Sequence, residues 1–83
     1  MLEAFTTAYF TDKRGYKYFY VFVFKNAPNV VRVIDYEKGH KLIALITYDH
    51  AYDYVTEVAS SNGYLYVLRS FKKTIDVYSL KKC

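Results

Sequence analysis

The sequence predicts a mainly β fold, an antiparallel meander of six to seven strands, on three observations. Aromatic residues make up 20% of the 83-residue chain, and large rings favour the half-buried faces of sheets. Short runs of β-forming residues alternate with Gly, Asn, Asp and Pro, which are turn residues. Apart from residues 50–61, no segment shows the period of a helix. The length is that of a single domain, residues 1–83.

The strongest strand signal covers residues 16–25. Its even positions carry only aromatic residues, and its odd positions are apolar from Phe19 to Val23. A strand with one face in water should alternate between apolar and polar residues. We therefore expect both faces of this strand to be covered. A shorter β-like run at residues 4–11 precedes it, and the turn 12–15 joins the two.

The same alternation of strands and turns continues to the end of the chain. We expect strands at 30–36, 41–48, 64–70 and 74–80, separated by turns at 26–29, 37–40 and 71–73. Pro28 supports the first of these turns because it cannot donate a hydrogen bond to a ladder. The last two strands would form a hairpin.

Residues 50–61 fit two interpretations. Four apolar residues fall at helical spacing, with Asp49 before them as an N-cap and Asn62-Gly63 after them as a stop. That interpretation gives an α+β fold with one short helix. The segment is also rich in β-forming residues, and Asn-Gly is a strong hairpin signal. We favour a strand here and keep the helix as the alternative.

Two parts of the chain repeat a pattern. The run from Gly15 to Val21 is echoed by the run from Gly63 to Val67, and a turn and a similar strand follow each. The spacing lies within the roughly 40–50 residues typical of propeller blades. The segment 55–78 resembles one blade of a β-propeller, of the WD-repeat or a related kind, although the chain has no Trp for the Trp-Asp dipeptide.

This resemblance implies two blade-like repeats in the chain. A closed propeller takes at least about four blades, so several copies would have to share one ring. The alternative is a plain meander whose Tyr- and Val-rich strands imitate a blade.

The composition, rich in Tyr and Lys and without Gln, resembles that of small uncharacterised proteins of hyperthermophilic archaea and their viruses. That resemblance implies no function and no site residues. No run of about 18 apolar residues is present, and the N-terminus lacks the features of a signal peptide. We expect an intracellular protein, in the host cytoplasm if it is viral, that does not contact a membrane.

No motif predicts catalysis, a cofactor or a small-molecule ligand. Asp49, His50 and Asp53 combine residue types that bind metals, but a structural zinc site needs four ligands, and no Cys-x-x-Cys or His-x-x-x-His spacing is present. We interpret Asp49 and His50 as a solvated turn or cap, and His40 as an exposed turn residue. Three glycines in separate turns cannot cradle a phosphate.

The small size of the chain favours self-association. A chain of this length buries only roughly 60–65% of its unfolded surface, and disulfides, metals or oligomerisation usually supply the missing stability. Cys83 is the only cysteine, so it cannot form an internal disulfide. We therefore expect a homo-oligomer, and the first function class is a non-catalytic binding or structural module.

The alternative function is binding of nucleic acid. The chain carries a net charge of +4, and a stripe of tyrosines with basic turns can stack on bases while cations follow phosphates. The contact residues would be Arg14, Tyr16, Lys17, Tyr18, Tyr20, Arg69, Lys72 and Lys73. The other interpretation, which we favour, is that the tyrosine stripe belongs to a core or an interface between copies.

Overall fold

The computed structural model describes residues 1–12, 15–37, 39–48, 54–70 and 73–82, and the side chains of all of these except residues 10, 12, 16 and 82. The strands are β1 (Leu2–Asp12), β2 (Gly15–Phe24), β3 (Ala27–Asp35), β4 (Leu42–Thr47), β5 (Val55–Ser61), β6 (Tyr64–Arg69) and β7 (Thr74–Ser79), and a 3-10 turn, Leu80–Lys82, follows β7. The prediction of a mainly antiparallel β fold is confirmed.

The seven strands form two sheets in which every hydrogen-bonded neighbour is antiparallel. The first sheet has the order β1-β2-β3-β4, and the second has the order β5-β6-β7. In the described part of the chain, no helix is long and apolar enough to cross a membrane.

The second sheet resolves the two interpretations of residues 50–61. The strand prediction is confirmed for β5, and the helical alternative is wrong for residues 54–61, while residues 50–53 lie outside the described part of the chain. Val58 pairs with Val67 in the register of β5 and β6. The Asn62-Gly63 turn, with both residues at positive φ, closes this hairpin, and that local geometry outweighs the helical spacing.

The turn between β2 and β3 is shorter than predicted. It consists of Lys25 and Asn26, and Phe24 already pairs with Ala27, so Pro28 lies inside β3 and not in a turn. The register shifts between Phe22 and Phe24, and Pro28 falls in the stretch that this irregularity leaves without a partner on β2. Proline is tolerated at such a position because its backbone does not have to donate a hydrogen bond to the neighbouring strand.

The two sheets share one apolar core. The odd positions of β2, namely Phe19, Val21 and Val23, point into it and are at most 1% exposed. The other buried apolar residues of this core are Ala8, Val31, Val33, Val55, Val58, Leu65, Val67 and Leu80. Side chains alternate across a strand, so the even positions of β2 lie on the opposite face, which no described part of the second sheet covers.

Asp35 is the one buried charged residue in the described part of the chain, at 2% exposure. Its Oδ1 accepts a hydrogen bond from the Glu37 amide at 2.8 Å, and its Oδ2 lies 3.5 Å from Lys17 Nζ. The Asp35 carboxylate therefore stabilises the turn after β3 through the Glu37 amide. It also joins β3 to β2 through the ion pair with Lys17.

Candidate interaction surface

The side of the first sheet that points away from the core is almost entirely apolar and aromatic, and we call it the outer face. Cross-strand pairing arranges it in three rows: Phe5, Phe22, Arg32 and Leu45; Thr7, Tyr20, Ile34 and Leu42; and Tyr9 with Tyr18, extended by Tyr36. Phe5 is 51% exposed, and Tyr9 and Leu45 are each 54% exposed. Arg32 is the only charged residue in the three rows.

The rings of the outer face contact one another across the strands. Tyr9 and Tyr18 have centroids 5.9 Å apart, and Tyr20 meets Tyr36 edge to face at 5.4 Å. His40, an exposed turn residue, stacks on Tyr20 with the ring planes 8° apart. Offset and edge-to-face pairs of this kind are favourable beyond the area that they bury. These contacts therefore hold the rings of the outer face against one another.

Arg32 lies in the first of these three rows and lacks a complete set of hydrogen-bond partners. Its guanidinium carbon sits 4.9 Å from the centroid of the Phe24 ring. Its Nη1 is buried and has no hydrogen-bond partner among the described residues. A buried charged donor without an acceptor costs more than the roughly 1–3 kcal/mol of a neutral one. A partner that covers the outer face would therefore have to accommodate the charge of Arg32.

The residues predicted to contact nucleic acid do not all share one face. Tyr18 and Tyr20 lie on the outer face, but Lys17 points to the opposite side of β2, where it pairs with Asp35 and lies 5.9 Å from the Phe19 ring centroid. Arg14, Lys72 and the side chain of Tyr16 lie outside what the structure describes.

Arg69 and Lys73 belong to the second sheet. Arg69 Nη1 donates to Asp76 Oδ2 at 3.0 Å, and its guanidinium stacks over the Tyr48 ring at 4.2 Å. Lys73 is exposed in the turn before β7, with φ at +53°. Lys17 and Arg69 are therefore both held by carboxylates on the inner side of their sheets, away from the rings of Tyr18 and Tyr20 on the outer face.

Sequence reasoning missed Phe5, Tyr9, Arg32 and Leu45 as members of this surface. They come from β1, β3 and β4, and only the register of those strands places them beside β2. One signal was readable: Arg32 stands between Val31 and Val33, which marks the even positions of β3 as the face that does not enter the core.

A polar cluster closes the edge where the two sheets meet near β4. The Tyr48 hydroxyl donates to Asp76 Oδ2 at 3.0 Å and lies 2.8 Å from the Tyr78 hydroxyl. Because the Tyr48 proton is directed to Asp76, Tyr78 acts as the donor in the second bond. Burial, followed by these two hydrogen bonds, raises the pKa of Tyr48 well above its ordinary value. A hydroxyl that stays protonated serves as a structural donor and not as a base.

We expect Tyr48→Phe to lower the unfolding free energy by about 1–2 kcal/mol, since Asp76 and Tyr78 each lose a partner. The raised pKa means that this stabilisation is present below the ordinary tyrosine pKa of about 10 and is lost as the pH rises further. Urea unfolding at pH 7 and at pH values above 10 measures both effects. Tyr54→Phe, at an exposed tyrosine, is the control. Equal losses in the two variants would contradict the role of the cluster.

The part of the chain that the structure describes contains no cluster of metal-binding side chains. No group of three or more His, Cys, Asp or Glu side chains there could hold a metal ion. Asp49, His50, Asp53 and Cys83 lie outside the described residues.

Comparison with protein families, with curated proteins and with solved structures finds no match for this chain. The resemblance of residues 55–78 to a propeller blade stays a prediction, and so does the compositional resemblance to proteins of hyperthermophilic archaea and their viruses. The outer face and its chemistry are therefore the features that point to a function.

Proposed function

We propose that this protein is a non-catalytic binding and structural module that self-associates, with the outer face as its contact surface. The observation that carries the proposal is the continuity of this face, three rows of apolar and aromatic side chains around a single charge. Contiguous exposed apolar patches larger than a few hundred Å² are rare on monomers and mark interaction sites.

The dimensions and composition of the outer face support the proposal. The chain measures 40 × 24 × 17 Å, and each partner in a standard interface buries about 800 Å², so a sheet face of this breadth is large enough. Interface centres are enriched in Tyr, Phe and Arg and depleted in Lys, Glu and Asp. The three rows follow the same composition, since they contain no Lys, Glu or Asp.

Binding of single-stranded nucleic acid is the second candidate. The exposed rings of Tyr9 and Tyr18 favour it, because bases stack on such rings. Lys17 and Arg69 do not, since their charges are paired with Asp35 and Asp76. A phosphate backbone would meet Arg32 as the one cation within the three rows.

The test is the mass of the protein in solution. Sedimentation at micromolar concentration should give dimers or larger assemblies. Leu45→Asp should weaken association at least about tenfold, because it buries a charge in an apolar contact. Thr74→Asp adds the same charge at an exposed strand position off the outer face and should leave the mass unchanged.

Two outcomes would count against self-association. One is a folded wild-type monomer at 100 micromolar or so. The other is tight binding of a single-stranded oligonucleotide that weakens with salt and is lost in Tyr18→Ala, which would favour the second candidate.

A further inference from the structure

The second sheet also exposes an apolar side, which we call the back face. Besides a row of Ser61, Tyr64 and Ser79, its side chains form two mainly apolar cross-strand rows: Glu57, Leu68 and Ile75; and Ala59, Tyr66 and Val77. Ile75 is 61% exposed and Val77 is 56% exposed. Five of these six residues line a shallow groove of about 220 Å³: Glu57, Ala59, Tyr66, Leu68 and Ile75.

The two mainly apolar rows of the back face carry a single charge, of the sign that the outer face lacks, while Lys81 Nζ lies 5.7 Å from the centroid of the Tyr64 ring in the third row. Glu57 is exposed and forms no ion pair with any described residue. Arg32, on the outer face, has a buried Nη1 without an acceptor. The rows of each apolar surface thus hold one charge without an ion-pair partner among the described residues, and the two charges are opposite.

This complementarity decides between the two ways in which copies can meet. Two outer faces packed together would offer Arg32 no carboxylate, because none of their three rows contains one. Two back faces would likewise offer Glu57 no cation from their rows. An outer face on a back face supplies each charge with its partner and covers both apolar surfaces.

We propose that the outer face of one copy packs on the back face of the next, with Arg32 of the first paired to Glu57 of the second. This inference rests on the proposed self-association and specifies its geometry. Such a contact uses different surfaces on the two partners, so it repeats from copy to copy and builds a ring or an open stack. A face-to-face dimer would stop at two copies.

Charge reversal tests the pairing. Arg32→Glu and Glu57→Arg, each measured alone by sedimentation equilibrium, should weaken association about 30-fold or more, since each places like charges together in an apolar contact. Mixing the two variants in equal amounts should restore assembly, because every contact then joins opposite charges. The double variant should assemble by itself for the same reason.

Glu37→Arg is the matched control, since Glu37 is an exposed acid in the turn after β3 and belongs to neither face. It should assemble like the wild type. Circular dichroism and urea unfolding of each variant establish whether the fold is retained. If a change at Arg32 disturbs the sheet, the Glu57→Arg variant still tests the contact by itself.

The outcomes distinguish the head-to-tail contact from self-association through the outer face in general. If the wild type assembles while Glu57→Arg has no effect, or if mixing restores nothing, the head-to-tail contact is overturned and self-association through the outer face stands. A wild-type mass that stops at a dimer overturns it as well. A monomeric wild type overturns both proposals.

Discussion

Replacing Phe19 with alanine is expected to lower the unfolding free energy by about 3–5 kcal/mol. Phe19 is 1% exposed and is the largest fully buried side chain among those that the structure describes, so its removal leaves a cavity between the sheets. A chain of this size has a total stability of only about 4–12 kcal/mol. The loss is therefore a large share of the total stability, and urea titration followed by circular dichroism measures it.

Phe22→Ala is the matched control, three positions along the same strand and on the outer face. Its ring is half-buried and contacts Phe24 edge to face at 5.2 Å between centroids. We expect a loss of about 1 kcal/mol in the dilute chain, together with weaker association. Equal losses at Phe19 and Phe22 would mean that the outer face is already covered in the isolated chain, contrary to the structure.

Asp35→Ala should have the second largest effect, a loss of about 2–3 kcal/mol. The change removes the acceptor of the Glu37 amide and the ion-pair partner of Lys17 together. Asp35→Asn keeps an oxygen for the amide and removes only the charge, so its loss should be smaller, about 1 kcal/mol. Chemical denaturation of the two variants separates the turn bond from the ion pair.

The side chain of Glu37 supplies the control for this series. It is exposed, so Glu37→Ala should change the unfolding free energy by less than about 0.5 kcal/mol. If Asp35→Asn were as harmful as Asp35→Ala, the ion pair with Lys17 would account for the whole effect and the amide bond for none.

The strands were predictable from the sequence because their signals are local. Runs of Tyr, Phe and Val bounded by turn residues placed six strands, and Asn62-Gly63 fixed the hairpin that defines the end of β5. Pro28 led to a wrong prediction of the second turn. The register irregularity between β2 and β3 leaves Pro28 without a partner on β2, so the backbone N–H that proline lacks is not required there. Such an irregularity is a property of the pairing between two strands, so the sequence of either strand alone does not indicate it.

The candidate surface could be predicted only along one strand. Tyr18 and Tyr20 were found because they are two residues apart, and the same alternation shows that Lys17 between them must face the other way. Because β2 is apolar at odd and even positions alike, its sequence did not indicate which set enters the core. The division into two sheets depends on long-range packing, which local patterns do not contain.

The order of the strands has a consequence for how the chain folds. Each strand pairs only with its neighbours in sequence, so both sheets can grow outward from hairpins, which form in microseconds and require little loop closure. The slow event is the docking of one finished sheet on the other, which joins residues as distant as Ser60 and Thr7, linked by a 2.7 Å hydrogen bond. Until that event, the valines of both inner faces remain open to water. The chain is thus most prone to aggregate before the two sheets dock.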